Sequence, residues 1–420
     1  MSISGETMLR LWRRQVWTRG LVAFGLAALL ASCSPGEWQF GSRTLSFPGP
    51  QAGGGNNGPA GMPVPTSTSA AADRFGRGPV PVTLLLPLTG EPGMVQIGTS
   101  LANASRLAIA FIDANPNIGE NITITLRDSG TSVAGATHAA NAAVAEGAKL
   151  ILGPLQAEQV SAAGAVARAS GVPLIGFSNT VSSAGPGIYL LSVTPDMEMK
   201  RAVSYLRAQG RRGLAGAFPT TPYGEAQALA FRQQATASGA PPNAVYMYSS
   251  PSEIAGIVAQ AKPLIDRGMI DTLFLPERSA APAFGQALAQ AGVTPDLLQL
   301  AGSAEWAGDP AILASPGLRG AIYPAVDEAG LNAITPDYQA RFGGRPHPLA
   351  TLAYTATILA NVNTLSLATP PYNPSLMTNP TGFNGRDGLF RFGTDGRSEY
   401  ALAIKQIGPS GVVTVEGPKL

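Results

Sequence analysis

Three short polar turns follow apolar runs in the first half of the chain: Pro87-Leu-Thr-Gly90, Gly153-Pro-Leu-Gln-Ala157 and Gly176-Phe-Ser-Asn-Thr180. Thr89, Gln156, Ser178, Asn179 and Thr180 place hydroxyls and amides there. Together with backbone N–H groups at helix N-termini, such side chains can hold an anion such as a carboxylate. That is binding chemistry rather than bond-breaking chemistry. The GxxxxGK(S/T) phosphate loop, the GxSxG elbow, HExxH and CxxC patterns are missing from the chain. Its two histidines, His138 and His347, fall in a helical stretch and in a Pro-rich turn, each without a triad partner in view. With a single cysteine, Cys33, and no clustered His or Asp, the chain has no metal-ligand set. Catalysis, a metal and a cofactor are therefore not expected.

The elements that position these turns begin at Val80. Apolar strands are expected at Val82–Leu88, Ile122–Arg127, Leu150–Leu152 and Val172–Phe177, with helices between them at Gly98–Asp113, Ala134–Glu146 and Glu158–Ala169. Short apolar strands alternating with helices of this length predict βαβ units and a parallel sheet covered on both faces. The rhythm restarts at Ile188–Val193 and runs through to a strand at Leu297–Ala301. A region of roughly 340 residues exceeds one ordinary domain, so two α/β lobes are expected. A helix at Leu349–Ser366 follows, and the segments 400–407 and 412–415 are expected to pair as an antiparallel hairpin. Ligands in open α/β sheets bind beyond the carboxyl ends of the strands, where the three polar turns fall.

The first 32 residues read differently. A basic start with Arg10, Arg13, Arg14 and Arg19 precedes the apolar run Leu21–Leu30, and small residues then lead to Cys33. This is the pattern of a signal peptide. The segment Leu30-Ala-Ser-Cys33 resembles the bacterial lipobox, whose Cys is acylated and becomes the first residue of the mature protein. Ten apolar residues are too few to span a bilayer, which takes about 20. Removing the leader takes away four Arg and Glu6, leaving 24 basic against 25 acidic side chains. Nothing in that balance suits nucleic acid, which would ask for a basic stripe. Residues 33–78 are rich in Gly, Pro, Ser and Thr and are expected to form a tether spanning roughly 35–40 Å.

The stretch from Val82 to about Val415 resembles the type I periplasmic binding proteins, the branched-chain amino-acid receptor group. The pieces that carry the resemblance are Leu84-Leu-Leu-Pro-Leu-Thr-Gly90, Arg127-Asp-Ser-Gly130, Ile151-Leu-Gly-Pro154, Gly171-Val-Pro-Leu-Ile175, Pro222-Tyr-Gly224 and Gly388-Leu-Phe-Arg-Phe-Gly393 with Gly396. It implies a fold class of α/β with two Rossmann-like lobes joined by three crossovers, near Val193, near Ile322 and between Phe390 and Glu399. The domain at 79–420 then divides into a first lobe at about 79–193 and 322–390 and a second at about 194–321 and 399–420.

The resemblance also implies site roles. Gln156 and Ala157 occupy places where amino-acid-binding members carry hydroxyls for the ligand carboxylate. Ser178, Asn179 and Thr180 match the second polar turn. Tyr223 falls where the family packs an aromatic ring on the ligand, and Glu305 lies near the carboxylate that binds an ammonium. Glu277 is a second candidate for that carboxylate, and Trp306 lies beside Glu305. Within the family, the Gly-Pro-Leu turn, the Phe177-Ser-Asn179 turn, Gly185-Pro-Gly-Ile-Tyr-Leu190 and the lipobox resemble the penicillin-binding-protein activator lipoproteins. That branch implies a lipid-anchored regulator of a peptidoglycan synthase in the periplasm. Ser34 after the Cys is compatible with the outer membrane. The alternative is the substrate-binding protein of an ABC importer, serving a permease and carrying a small amphipathic or zwitterionic solute.

Overall fold

The computed structural model describes residues 73–420; the leader, Cys33 and most of the expected tether lie outside them. The first lobe is built from β1 (Asp73–Phe75), β2 (Val80–Leu86), α1 (Pro92–Ala114), β3 (Ile122–Asp128), α2 (Val133–Ala145), β4 (Leu150–Leu152), α3 (Ala157–Ala169), β5 (Leu174–Gly176) and β6 (Ile188–Leu190). Its sheet has the order β1-β3-β2-β4-β5-β6 and is parallel except for β1. The central strands are apolar without alternation because both of their faces are covered. Val82, Leu84 and Leu86 of β2 enter one core, while Leu85 enters another on the opposite face. β4 divides likewise, Leu150 and Leu152 against Ile151. Each such leucine, buried completely, contributes about 1.5–3 kcal/mol.

The second lobe runs through α4 (Pro195–Ala208), β7 (Leu214–Pro219), α5 (Pro222–Ala237), β8 (Ala244–Tyr248), α6 (Ile254–Asp266), β9 (Thr272–Phe274), α7 (Ala281–Gln290), β10 (Gln299–Ala301), α8 (Pro310–Ala314) and β11 (Ile322–Ala325). The chain then returns to the first lobe with α9 (Ala329–Phe342), α10 (Ala350–Ala360), α11 (Asn363–Ser366), α12 (Pro374–Met377) and the small antiparallel sheet β12 (Phe383–Gly385), β13 (Gly388–Phe392) and β14 (Ser398–Tyr400). It ends on the hairpin β15 (Leu402–Gly408) and β16 (Gly411–Lys419), which completes the second sheet in the order β16-β15-β11-β10-β9-β7-β8.

Several expectations shift. Strand β1 lies inside the expected tether: Asp73, Arg74 and Phe75 pair with Leu126, Thr125 and Ile124. Phe75 packs on the core, with the Arg106 guanidinium 5.3 Å from its ring centroid. Helix α1 begins at Pro92, because Pro is tolerated in a first helical turn, where no intrahelical N–H is needed. The helix expected at Leu349–Ser366 is interrupted after Ala360 and resumes at Asn363. The second crossing falls after Ala325 rather than near Ile322, since β11 bonds to β10 and β15 of the second sheet. The third falls at Ala401, because β14 remains paired with β13.

The crossings are pinned. Arg201 of α4 is buried; it donates to the Leu402 carbonyl at 2.6 Å and to the Gly417 carbonyl at 3.2 Å, and it pairs with Glu416 at 2.6 Å. Glu399 links Lys200 of α4 at 3.0 Å to Arg391 of β13 at 2.7 Å.

Candidate functional site

In each sheet the strand order reverses once, between β2 and β4 in the first lobe and between β7 and β9 in the second. Loops leaving the carboxyl ends of the strands part at such a point and open a crevice. Thr89 and Gln156 stand at the first reversal, Tyr223 and Glu277 at the second. The segment Ser178–Thr180 follows β5, and Glu305 follows β10.

On the first wall, β4 turns away close to β2. Gly153 has φ +82°, and a Cβ there would lie 2.1 Å from the Leu85 carbonyl oxygen, so glycine is required. The Phe177 N–H donates to the Pro154 carbonyl at 2.9 Å and ties this turn to the one after β5. Ser178 is buried, and its Oγ accepts the Thr180 N–H at 3.1 Å. Thr180 is exposed, while Gln156 is half-buried at the start of α3 and makes no capping bond. The Thr89 hydroxyl donates to Asp128 Oδ2. Asp128 Oδ1 takes the N–H groups of Leu88 at 2.8 Å, Thr89 at 3.2 Å and Gly130 at 2.7 Å. Burial alone would raise the Asp128 carboxyl, but these four donors outweigh it and hold it below the usual range. Thr89 thus organises its own turn.

The second wall carries Tyr223 in the first turn of α5, after the cap in which Thr221 Oγ1 accepts the Gly224 N–H at 3.1 Å. Asn179 Nδ2 donates to the Tyr223 hydroxyl at 3.4 Å, a long hydrogen bond that joins the two lobes. Burial raises the Tyr223 phenol well above its ordinary value, the charges of Glu198 and Glu305 add to this, and the amides of Asn179 and Gln227 oppose it. Glu305 is an exposed residue, yet crowding around its carboxyl raises it; Arg278 opposes that and Glu277 adds to it.

Two sequence candidates serve the fold. Glu277 closes the turn that leads into α7, its Oε1 accepting the Ser279 N–H at 2.9 Å and its Oε2 the Ala280 N–H at 2.8 Å. Trp306 is completely buried. It stacks so closely on Gly302 that a Cβ there would lie 2.2 Å from the indole, and its ring centroid is 6.2 Å from that of Tyr323.

The structure adds two residues that sequence reasoning missed. Glu198, in the first turn of α4, is 3% exposed; its Oε1 accepts the Ala304 N–H at 3.3 Å and its Oε2 has no partner. Burial and the nearby Glu305 charge push its carboxyl up to about 8, against a smaller pull from the Ala304 N–H. Gln227, one turn after Tyr223 on α5, is 1% exposed; its amide lies near the Tyr223 phenol, but Nε2 completes no well-formed hydrogen bond there or elsewhere. An acid in a first helical turn reads as an ordinary complement to the helix dipole, so sequence held no signal for Glu198. Gln227 could have been found by its i, i+4 spacing from Tyr223.

A cavity of about 130 Å³ beside Leu288 and Gly317 and another of about 250 Å³ beside Leu359 and Phe383 lie apart from this cluster. What the crevice residues can do chemically is hold a small molecule: they offer acceptors, amide donors and an aromatic ring.

Residues 79–415 match the family described as periplasmic binding protein. No curated protein matches the chain in sequence. Several solved structures share the fold. One is a protein from Rhodospirillum rubrum assigned to branched-chain amino acid ABC transport, at 19% identity and a TM-score of 0.70, covering 80% of this chain and 99% of that one. An ABC transporter substrate-binding protein from Desulfitobacterium hafniense, in complex with Leu, has 15% identity and a TM-score of 0.60 with the same coverage. The C-domain of LpoA from Haemophilus influenzae, described as a regulator of PBP1A, has 17% identity and a TM-score of 0.59, also with that coverage.

Proposed function

Because the chain belongs to the periplasmic binding protein family, a family of binding proteins whose members act in the periplasm, we propose that it captures a small polar ligand between its two lobes. The observation that carries this reading is the pair of buried, unpartnered atoms Glu198 Oε2 and Gln227 Nε2 beside Tyr223, a residue that Asn179 reaches from the other lobe. A buried polar atom left without a partner costs about 1–3 kcal/mol, and a ligand that satisfies it recovers that energy on binding. Lobe closure follows from the same contacts, since a ligand shifts the open–closed equilibrium only by its preference for the closed form. The protein would be held to a membrane through acylated Cys33, the outer membrane being favoured by Ser34, and would deliver its ligand to an ABC permease.

A second reading makes the chain a regulator of a peptidoglycan synthase. Gln156 and Ala157 support it, since they replace the hydroxyls that amino-acid-binding members carry, and so does the likeness to the LpoA C-domain. The experiment is a thermal-shift screen of the full chain with small polar molecules sorted by charge. A ligand at ~100 times its Kd should stabilise the protein by about 2.7 kcal/mol. Failure of every charge class would remove the binding reading, and capture of a penicillin-binding protein by the same preparation would then favour the regulator.

A further inference from the structure

The turn between β12 and β13 carries an acid outside the crevice cluster. Asp387 is 7% exposed, and among the described residues no Lys or Arg pairs with it. The charges around it are spent elsewhere. The Arg386 guanidinium donates to the Tyr354 hydroxyl at 3.0 Å and lies over that ring, Glu399 holds Lys200 and Arg391, and Asp327 Oδ1 accepts the Ala329 N–H at 2.9 Å. Glu328, beside Asp327, acts on Tyr323 of the second sheet. Two groups face Asp387: the Thr351 hydroxyl from α10 and the Tyr400 phenol from β14. Tyr400 is 4% exposed, and its hydroxyl has no partner. An acid without a cation and an unused donor are thus buried within reach of each other's charge.

This pair sits among all three crossings between the lobes. Ser398 Oγ of β14 donates to the Ser192 carbonyl at 2.8 Å, and the Tyr400 N–H meets Met197 Sδ at 3.1 Å, both at the first crossing. Gly330, just past the second, packs so tightly on the Arg386 carbonyl that a Cβ there would lie 1.7 Å from its oxygen. The third begins at Ala401, whose N–H donates to the Leu389 carbonyl at 2.8 Å. We propose that Asp387 and Tyr400 form a proton-controlled catch on the hinge: with Asp387 protonated the lobes stay together, and its ionisation draws the Tyr400 hydroxyl across and lets them part. In the arrangement seen here the lobes touch, since Asn179 reaches Tyr223. Burial pushes the Asp387 carboxyl up to about 6, against a smaller pull from the Thr351 hydroxyl. An arrangement that raises an acid in this way is favoured while the proton is on, and it loses ground as pH climbs from the ordinary 3.8 toward 6. A buried carboxylate with no cation beside it needs hydrogen-bond donors, and the phenol is an unused one. Reaching the carboxylate moves Tyr400, the residue before the third crossing. The catch acts on lobe closure whatever the crevice holds, and so goes beyond the binding reading.

Distances between two spin labels on the full chain test the catch. The labels sit at Glu158→Cys and Glu225→Cys, exposed positions in the first turns of α3 and α5 on opposite lobes, with Cys33→Ala to leave no other thiol. Between pH 4.5 and 6.5 the ratio of open to closed protein should rise. If Asp387 returns fully to its ordinary value on opening, its own share of that rise is roughly twentyfold. Other acids titrate in the same window, Glu198 among them, so the quantity read is the excess of the parent over Asp387→Asn, which cannot ionise. The parent's rise should exceed the variant's at least threefold. Tyr400→Phe keeps the ring, removes the hydroxyl and should at least halve that excess. Equal pH responses in parent and Asp387→Asn, or a ratio that falls as pH rises, would overturn the catch. An excess untouched by Tyr400→Phe would overturn the pairing on which it depends.

Discussion

Glu198→Gln should make the free protein more stable at neutral pH, although it removes a residue assigned to the ligand. The carboxyl titrates at about 8 in the folded chain against an ordinary value of 4.5. Below pH 4.5 the group is protonated whether the chain is folded or not, and it contributes nothing to pH dependence. Between 4.5 and about 8 the unfolded chain releases the proton while the folded chain keeps it, so stability falls as pH rises. At about 1.36 kcal/mol per pH unit, the loss reaches about 3 kcal/mol at pH 7 and about 5 kcal/mol above pH 8. A glutamine of the same shape keeps the bond from the Ala304 N–H and never ionises. The variant should therefore gain about 3 kcal/mol at pH 7 and match the parent near pH 4. With roughly 0.7 kcal/mol/K of unfolding entropy for a region of this size, that is a rise of about 4–5 °C in Tm. Urea unfolding followed by circular dichroism at pH 4, 5.5, 7 and 8 measures it. Parallel pH profiles for parent and variant, or a variant less stable at pH 7, would show that Glu198 is ionised and well paired, and the reasoning would fail. A stability gain together with lost affinity is the trade expected of a group retained for binding.

Other outcomes follow from single contacts. Tyr223→Phe removes the hydroxyl that Asn179 reaches, and should weaken a cleft ligand three- to tenfold by calorimetry while changing unfolding free energy by no more than about 1 kcal/mol. Gly153→Ala drives a Cβ against the Leu85 carbonyl at positive φ and should cost about 2 kcal/mol or more, read from the denaturation midpoint. Leucine, isoleucine and valine should bind weakly or not at all, because Gln156 and Ala157 offer one amide in place of hydroxyls; micromolar saturation by any of them would contradict this. Cys33→Ala should abolish metabolic lipid labelling and shift the protein from the membrane to the soluble fraction; a parent protein that takes up no label would refute the anchor.

The positions of several candidate residues were legible because a parallel sheet turns pattern into position. An apolar run that ends in Pro-Leu-Thr-Gly or Gly-Pro-Leu-Gln must end at the carboxyl edge of a strand, and the crevice lies there. Thr89, Gln156, Ser178 and Asn179 were placed by that rule, and Tyr223 and Glu305 by the resemblance. The three residues of β1 were not legible: in a Gly- and Pro-rich stretch they look like tether, and only pairing with Ile124–Leu126 and the packing of Phe75 make them a strand. Trp306 and Glu277 lie just past strand ends in sequence, but Trp306 turns into the core and Glu277 closes the turn before α7, and spacing does not report rotamer or turn closure.

By itself the sequence determined the alternation of strands and helices, the two lobes and the turns that border the crevice. These depend on local apolar runs and on glycine and proline, whose effects reach only a few residues along the chain. Burial of charge was decided by tertiary structure alone. Glu198 reads as a solvated acid until the turn at Ala304, over a hundred residues later, closes on it and Glu305 is brought near. Gln227 reads as surface until α5 packs against its lobe. Desolvation depends on every atom that surrounds a group, whatever its distance along the chain, and so the chemistry of this crevice exists only in the folded protein.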